Sequence, residues 1–178
     1  MAWSTTATRR WPLGDADHPY LWRWDRSRYK ASWLCLRPSE DDVQAACLSK
    51  LSFLGIPAMP VDAGAKLLRG RAYGALRRAG ASTACLKGQT GAGFAGLADI
   101  IGVIPRSVHR LDFPWGIPLF LEVKAPEHLE PSPGGGFRQV EAAGKPSAQQ
   151  LGFLDAMHGA GACVGLIWSV DDLQEVLP

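Results

Sequence analysis

Apolar positions along the chain change their period several times, and each change predicts an element. From Ser39 onward, Val43, Cys47, Leu51 and Leu54 recur at the 3.6-residue spacing of a helix with one buried stripe. Ser39 is a strong N-cap and Asp42 stands at the reciprocal capping-box position, so a helix is predicted from there to about Phe53 or Leu54. Gly55-Ile-Pro57 ends it. Two short β-branched and aliphatic runs, 97–104 and 118–125, read as strands bounded by Gly or Pro. The stretch 126–146 follows neither period, carries Pro131-Ser-Pro-Gly-Gly-Gly136, and is predicted to be an irregular, mobile loop. Ser147 opens another helix, with Leu151, Phe153, Leu154 and Met157 as its apolar face and Gly159 or Gly161 as its end. Residues 162–169 read as a third strand, and Ser169 caps a short last helix from Asp171 to Leu177. The order helix, strand pair, helix, strand, helix predicts an α/β fold with a central mixed β-sheet flanked by helices.

Residues 1–38 follow no such pattern and are set apart as a Trp/Arg-rich extension, leaving 39–178 as the folded domain. They hold five of the seven tryptophans, Trp3, Trp11, Trp22, Trp24 and Trp33, interleaved with arginines. Trp22-Arg-Trp-Asp25 reads as one short strand. Such aromatics either stack on nucleic-acid bases or pack onto the core or a partner subunit.

The 178 residues suffice for one domain with a real core, and 47% hydrophobic with 20% charged residues is globular usage. Net charge is only +2, so any nucleic-acid contact must come from local clustering. Such clustering exists: 63–98 contains no acidic residue but holds Lys66, Arg69, Arg71, Arg77, Arg78 and Lys87. It is either a solvated face or a wall for phosphates. Cys35, Cys47, Cys85 and Cys163 form no C-x-x-C pair, and the four histidines no H-x-x-x-H pair, so no zinc site is predicted. No membrane-length apolar run and no signal-peptide core are visible, so an intracellular, cytoplasmic chain without membrane attachment is expected.

Chemistry concentrates on the two predicted strands. Strand alternation puts Glu122 and Lys124 on one face, with Phe120, while Leu119, Leu121 and Val123 take the other. Asp99 sits among Leu97, Ile100 and Ile101, where a carboxylate needs a cation, a metal, solvent or a backbone amide. Two carboxylates and an ammonium can hold Mg²⁺ and place a water against a phosphodiester; the duller alternative is a same-face ion pair of little worth. Gln150 and Glu40 have a dull alternative too, since S-x-x-Q is a capping box and an acid suits a first helical turn. Gly91-Ala-Gly-Phe-Ala-Gly96 matches G-x-G-x-x-G, but it precedes a strand instead of following one, so a dinucleotide site is rejected.

Taken in order, Pro-Ser-Glu40-Asp-Asp-Val-Gln, Gly55-Ile-Pro-Ala-Met-Pro-Val-Asp-Ala-Gly64, Gly96-Leu-Ala-Asp99-Ile-Ile-Gly102, Phe120-Leu-Glu122-Val-Lys124-Ala, Gly144-Lys-Pro-Ser147-Ala-Gln-Gln150 and Trp168-Ser-Val-Asp-Asp-Leu173 resemble the PD-(D/E)XK nuclease superfamily, and within it the VRR-NUC (virus-type replication-repair nuclease) branch. The resemblance covers about 39–177. It implies a restriction-endonuclease-like core and a Mg²⁺- or Mn²⁺-dependent endonuclease acting on DNA, branched, junction or flap DNA in particular, in replication, repair or recombination, with phage or mobile-element origin among the options. It implies that Asp99, Glu122, the Val123 carbonyl and Glu40 hold the metal, that Lys124 orients or activates water, and that Gln150 supports the site. The 63–98 cations with Arg106, Arg110, Arg138 and Lys145 would then form the DNA wall. Compact members of the branch often pair as homodimers. Ala98 stands where the pattern commonly has Pro, and Asp62 where it has Asn. A non-catalytic, nuclease-derived DNA-binding or assembly module is the competing expectation.

Overall fold

The computed structural model describes Leu21 and residues 24–61, 97–108 and 116–178. The first described elements are a 3₁₀ turn at Arg26–Arg28 and a short helix, α1 (Ala31–Leu34). The Ser39 capping box forms as predicted, its hydroxyl accepting from the Asp42 N–H and the Asp42 carboxylate accepting in return from the Ser39 N–H. It opens α2 (Glu40–Phe53), whose stripe Val43, Cys47 and Leu51 is buried. Leu54, placed on that stripe by its spacing, is 36% exposed, because the helix ends at it and Gly55 turns the chain away at φ 72°.

Three strands follow: β1 (Ala58–Pro60), β2 (Ile100–Ile104) and β3 (Ile117–Val123). After them come β4 (His128–Pro131), β5 (Phe137–Glu141), α3 (Ala148–Gly159), β6 (Cys163–Ile167), a 3₁₀ turn at Val170–Asp172 and α4 (Leu173–Val176). Among the described residues, β1, β2, β3 and β6 make a four-stranded sheet in that order. β1 and β3 run antiparallel to β2, and β6 runs parallel to β3. The sheet is therefore mixed and the fold mixed α/β, as predicted. Among the described residues no helix is long and apolar enough to cross a membrane.

Several expectations are corrected. The first motif strand begins at Ile100, so Asp99 lies just before it on a bend. The stretch 126–146 is not an irregular loop: β4 and β5 pair antiparallel across the Pro-Gly turn, with Ser132 N–H donating to the Gly136 carbonyl at 3.1 Å. Its hairpin period was hidden because every residue of β5 is exposed, leaving Leu129 as the buried anchor of β4. The last helix splits into the 3₁₀ turn and α4. β1, unforeseen, is short and closed by a proline, as suits an edge strand. Trp24 and Asp25 are not in a strand.

Both faces of β3 are covered. Phe120 meets Phe153 of α3 edge-on at 5.4 Å, while on the other face Gly165, opposite Leu121, leaves room for Val176 of α4. The Glu122–Lys124 face is therefore not half-exposed, as alternation alone implied; Glu122 is 0% and Lys124 7% exposed.

The described part of the N-terminal stretch packs onto this core. Leu21 and Leu34 are buried, and Trp24 stacks on Tyr29 at 4.5 Å and meets the edge of Trp168 at 5.9 Å. Beneath them lies the buried Asp172 carboxylate. It accepts from the Tyr29 hydroxyl at 2.8 Å and from the Trp168 and Ser169 N–H groups at 2.8 and 2.9 Å, with Arg28 3.3 Å away. Burial raises its carboxyl above the ordinary range, and these donors resist that rise. Trp3, Trp11 and Trp22 lie outside the described residues.

Gly102 carries the β1–β2 contact, because a Cβ there would sit 2.8 Å from the Pro57 carbonyl and 3.0 Å from the Ala58 Cβ. Backbone must move to admit it. G102A is expected to lose about 1–3 kcal/mol in urea unfolding; unchanged stability would contradict this packing.

Candidate active site

Ile100 pairs with Leu121, so one step further along the same register Asp99 faces Glu122 across the ladder. Like charges directly opposite are destabilising unless something lies between them or one is protonated. The two carboxylates are held differently. Asp99 Oδ2 accepts from the Val123 N–H at 2.9 Å, and its own carbonyl accepts from Val61 N–H at 2.7 Å and from Gln44 Nε2 of α2 at 2.9 Å. Glu122 is fully buried. Its Oε1 accepts from Lys124 Nζ at 2.5 Å and from Gln150 Nε2. Its Oε2 is buried with no hydrogen-bond partner.

Gln150 does both things open to it. Its Oε1 accepts from the Ser147 N–H at 2.8 Å, completing the capping box that starts α3, while its Nε2 points at Glu122. Lys124 follows the last residue of β3, and its N–H donates to the Ile167 carbonyl of β6 at 2.8 Å. Its Nζ lies 3.8 Å from Glu40 Oε1, which also accepts from the Ala125 N–H at 3.4 Å. Glu40 therefore approaches the site through the lysine side. A cleft of about 390 Å³ opens next to Glu40 and Ala125, bounded by His128 and by Arg37 paired with Glu141 at 2.5 Å.

Loss of water raises the Glu122 carboxyl from its ordinary 4.5 to about 8; Lys124 opposes the rise and the facing Asp99 carboxylate adds to it. Two facing carboxyl groups, one of them fully buried with an oxygen that no donor satisfies, must share either a proton or a cation, and a hard cation fits between them. Mg²⁺ and Mn²⁺ prefer oxygen donors, and Mg²⁺ is often held by one or two carboxylates plus water. Asp99 and Glu122 meet that requirement. Among the described residues no group of three His, Cys, Asp or Glu side chains gathers in a metal-holding arrangement.

The structure thus brings together Asp99, Glu122, Val123, Lys124, Gln150 and Glu40. It separates Arg138, which pairs with Glu130 at 2.7 Å within the hairpin. Arg106 and Lys145 are exposed on the surface. Lys66, Arg69, Arg71, Arg77, Arg78, Lys87 and Arg110 lie outside the described residues, as do Asp62 and Gly91–Gly96. Sequence reasoning missed the support behind the site. Ser169 is legible as a cap, but nothing local signals that Tyr29 reaches Asp172 across 143 positions, or that the Trp168 indole donates to the Gly144 carbonyl at 3.0 Å. Comparison with known protein families, with curated proteins and with solved structures gives no match.

A carboxyl with a raised folded pKa favours folding at low pH, and that contribution is lost as pH climbs from 4.5 through about 8. E122Q cannot lose it. In chelator, the stability of E122Q relative to the natural chain is therefore expected to rise across that interval and level off above it. Paired melting curves from pH 4 to 9 with a constant difference would contradict the assigned burial.

Proposed function

We propose that the chain is a Mg²⁺- or Mn²⁺-dependent endonuclease that hydrolyses DNA phosphodiester bonds, built on a restriction-endonuclease-like core of the VRR-NUC type. One observation carries this reading: Glu122 is fully buried with Oε1 taken by Lys124 and Gln150, while Oε2 has no donor to satisfy it and the Asp99 carboxylate faces the same group across the ladder. A structural ion pair does not need that second oxygen bare, since leaving a buried acceptor unmade costs about 1–3 kcal/mol.

Asp99 and Glu122 would hold the cation. The bound ion supplies charge neutralisation at the scissile phosphate and acidifies water. Lys124 keeps a donor at the edge of the buried carboxylate, where it hydrogen-bonds the attacking water or a phosphate oxygen. Gln150 fixes which way Glu122 turns, and Glu40 sets Lys124 from the other side. Burial of Glu122 keeps bulk water away from the pair. Cations of 63–98, with Arg106 and Lys145, supply affinity for the anionic backbone. Arg138 is bound to Glu130 and contributes little to that wall unless the pair opens. The resemblance to the VRR-NUC branch implies branched DNA as the preferred substrate, and pairing into a homodimer as the arrangement that serves junctions.

The test is cleavage of labelled junction, flap, single-stranded and duplex DNA with Mg²⁺, Mn²⁺ or chelator. Cleavage is expected with metal only, strongest on branched substrates, and K124A is expected to lower its rate by about 10²–10⁴-fold. Unchanged cleavage by K124A, or cleavage in chelator, would overturn the assignment. Binding of branched DNA with no cleavage under any condition would favour the non-catalytic module.

A further inference from the structure

The backbone around Lys124 sits in a closed circuit of hydrogen bonds that no part of the proposed chemistry requires. Lys124 N–H donates to the Ile167 carbonyl at 2.8 Å. The next residue along β6's exit is Trp168, whose indole Nε1–H donates to the Gly144 carbonyl at 3.0 Å. Gly144 N–H in turn donates to the Ala125 carbonyl at 2.8 Å, one residue after Lys124. The segment at Gly144 lies so close that a Cβ there would be 3.4 Å from the Ala125 N, the Ala125 O and the Lys124 Cβ. Lys124 is thus gripped on one side by β6 and on the other by the strand-to-helix connection that leads into Gln150.

Trp168 closes this circuit, and it is itself immobilised. It is 3% exposed, its backbone N–H is bound by the buried Asp172 carboxylate at 2.8 Å, and the edge of its ring meets Trp24. A tryptophan serving the core alone would need a partner for its N–H, yet any nearby carbonyl or water would do. Here the partner is the carbonyl that fixes the segment covering Lys124.

We propose that Trp168 is a positioning residue for Lys124: its indole N–H holds the Gly144 segment against Ala125 and so sets the lysine relative to Glu122. This rests on the nuclease reading of the site. The ammonium works only within hydrogen-bond reach of both Glu122 and the reacting group, and small displacements in such an arrangement are expensive in rate. Binding of DNA, carried by cations elsewhere, does not depend on the link.

The test compares W168F, which keeps an aromatic ring but removes the N–H, with W24F, which disturbs the ring edge and leaves the N–H bond in place. On the Mg²⁺-loaded full chain, W168F is expected to lower kcat by about 10- to 100-fold with KM little changed. W24F is expected to lower the melting temperature without that fall in kcat. Hydrogen exchange at the Gly144 amide, read without metal or substrate, is expected to speed up in W168F and not in W24F. Should W168F fail to fold, replacing the Trp168 indole by benzothiophene keeps ring and packing, removes the N–H, and is read in the same way. With an active natural chain, equal kcat in W168F, equal falls in both variants, or unchanged Gly144 exchange would overturn the positioning role alone. A natural chain that cleaves no DNA overturns the nuclease reading, and the positioning role with it.

Discussion

Taking a carboxyl group fully out of water is unfavourable unless the surrounding chain supplies donors or counter-charge. Glu122 sets that requirement at the end of β3, and much of the local architecture answers it. Lys124 supplies the charge from two residues along, where alternation brings its side chain back to the same face. Gln150 supplies a neutral donor from the start of α3. Both reach the same oxygen. The other oxygen remains bare and buried, and the carboxyl rises to about 8. The environment so described is under-supplied with positive charge, and it lies across the ladder from a second acid, Asp99. That imbalance distinguishes the site from a plain ion pair, and the proposed divalent cation would offset it.

The fold delivers these groups by economical local rules. The antiparallel register of β2 and β3 sets Asp99 against Glu122, and the bend before Ile100 frees the Asp99 side chain to accept from the Val123 amide. The capping box at Ser147 fixes the first turn of α3, and the same glutamine that completes it touches Glu122. The capping box at Ser39 fixes α2 so that Glu40, in its first turn, lies beside Lys124. Helix starts and strand ends therefore converge on one spot. Behind them, Asp172 anchors both Tyr29 and the backbone at Trp168, tying the N-terminal segment to the same end of the sheet.

Much of this was legible because it is local. Both helix caps, the Glu122–Lys124 alternation and the three apolar strand cores are written within a few residues of one another, and they hold in the structure. The hairpin in 126–146 was not legible, because its strands expose nearly everything and leave no period to detect. Apolar neighbours on both sides put Asp99 inside a strand on pattern alone, whereas in the structure it lies on a bend, with its carboxylate bound to the Val123 amide 24 positions away. The burial of Glu122 and Lys124 is not legible locally, since alternation reports which residues share a face but not what covers it. The covering helix, α3, contributes Phe153 and Gln150 from some 30 positions away. Gln150 was poised between cap and site residue, and the two turn out to be compatible because an amide has two ends.

In the proposed nuclease, the Glu122 and Asp99 carboxylates together form the cation site. The most direct measurement is a Mn²⁺ titration by calorimetry at neutral pH, on the natural chain and on the isosteric variants D99N and E122Q. Saturable binding to the natural chain, lost in both variants while each remains folded, is the predicted result. No saturable binding to the natural chain, or binding that survives both substitutions, would contradict it.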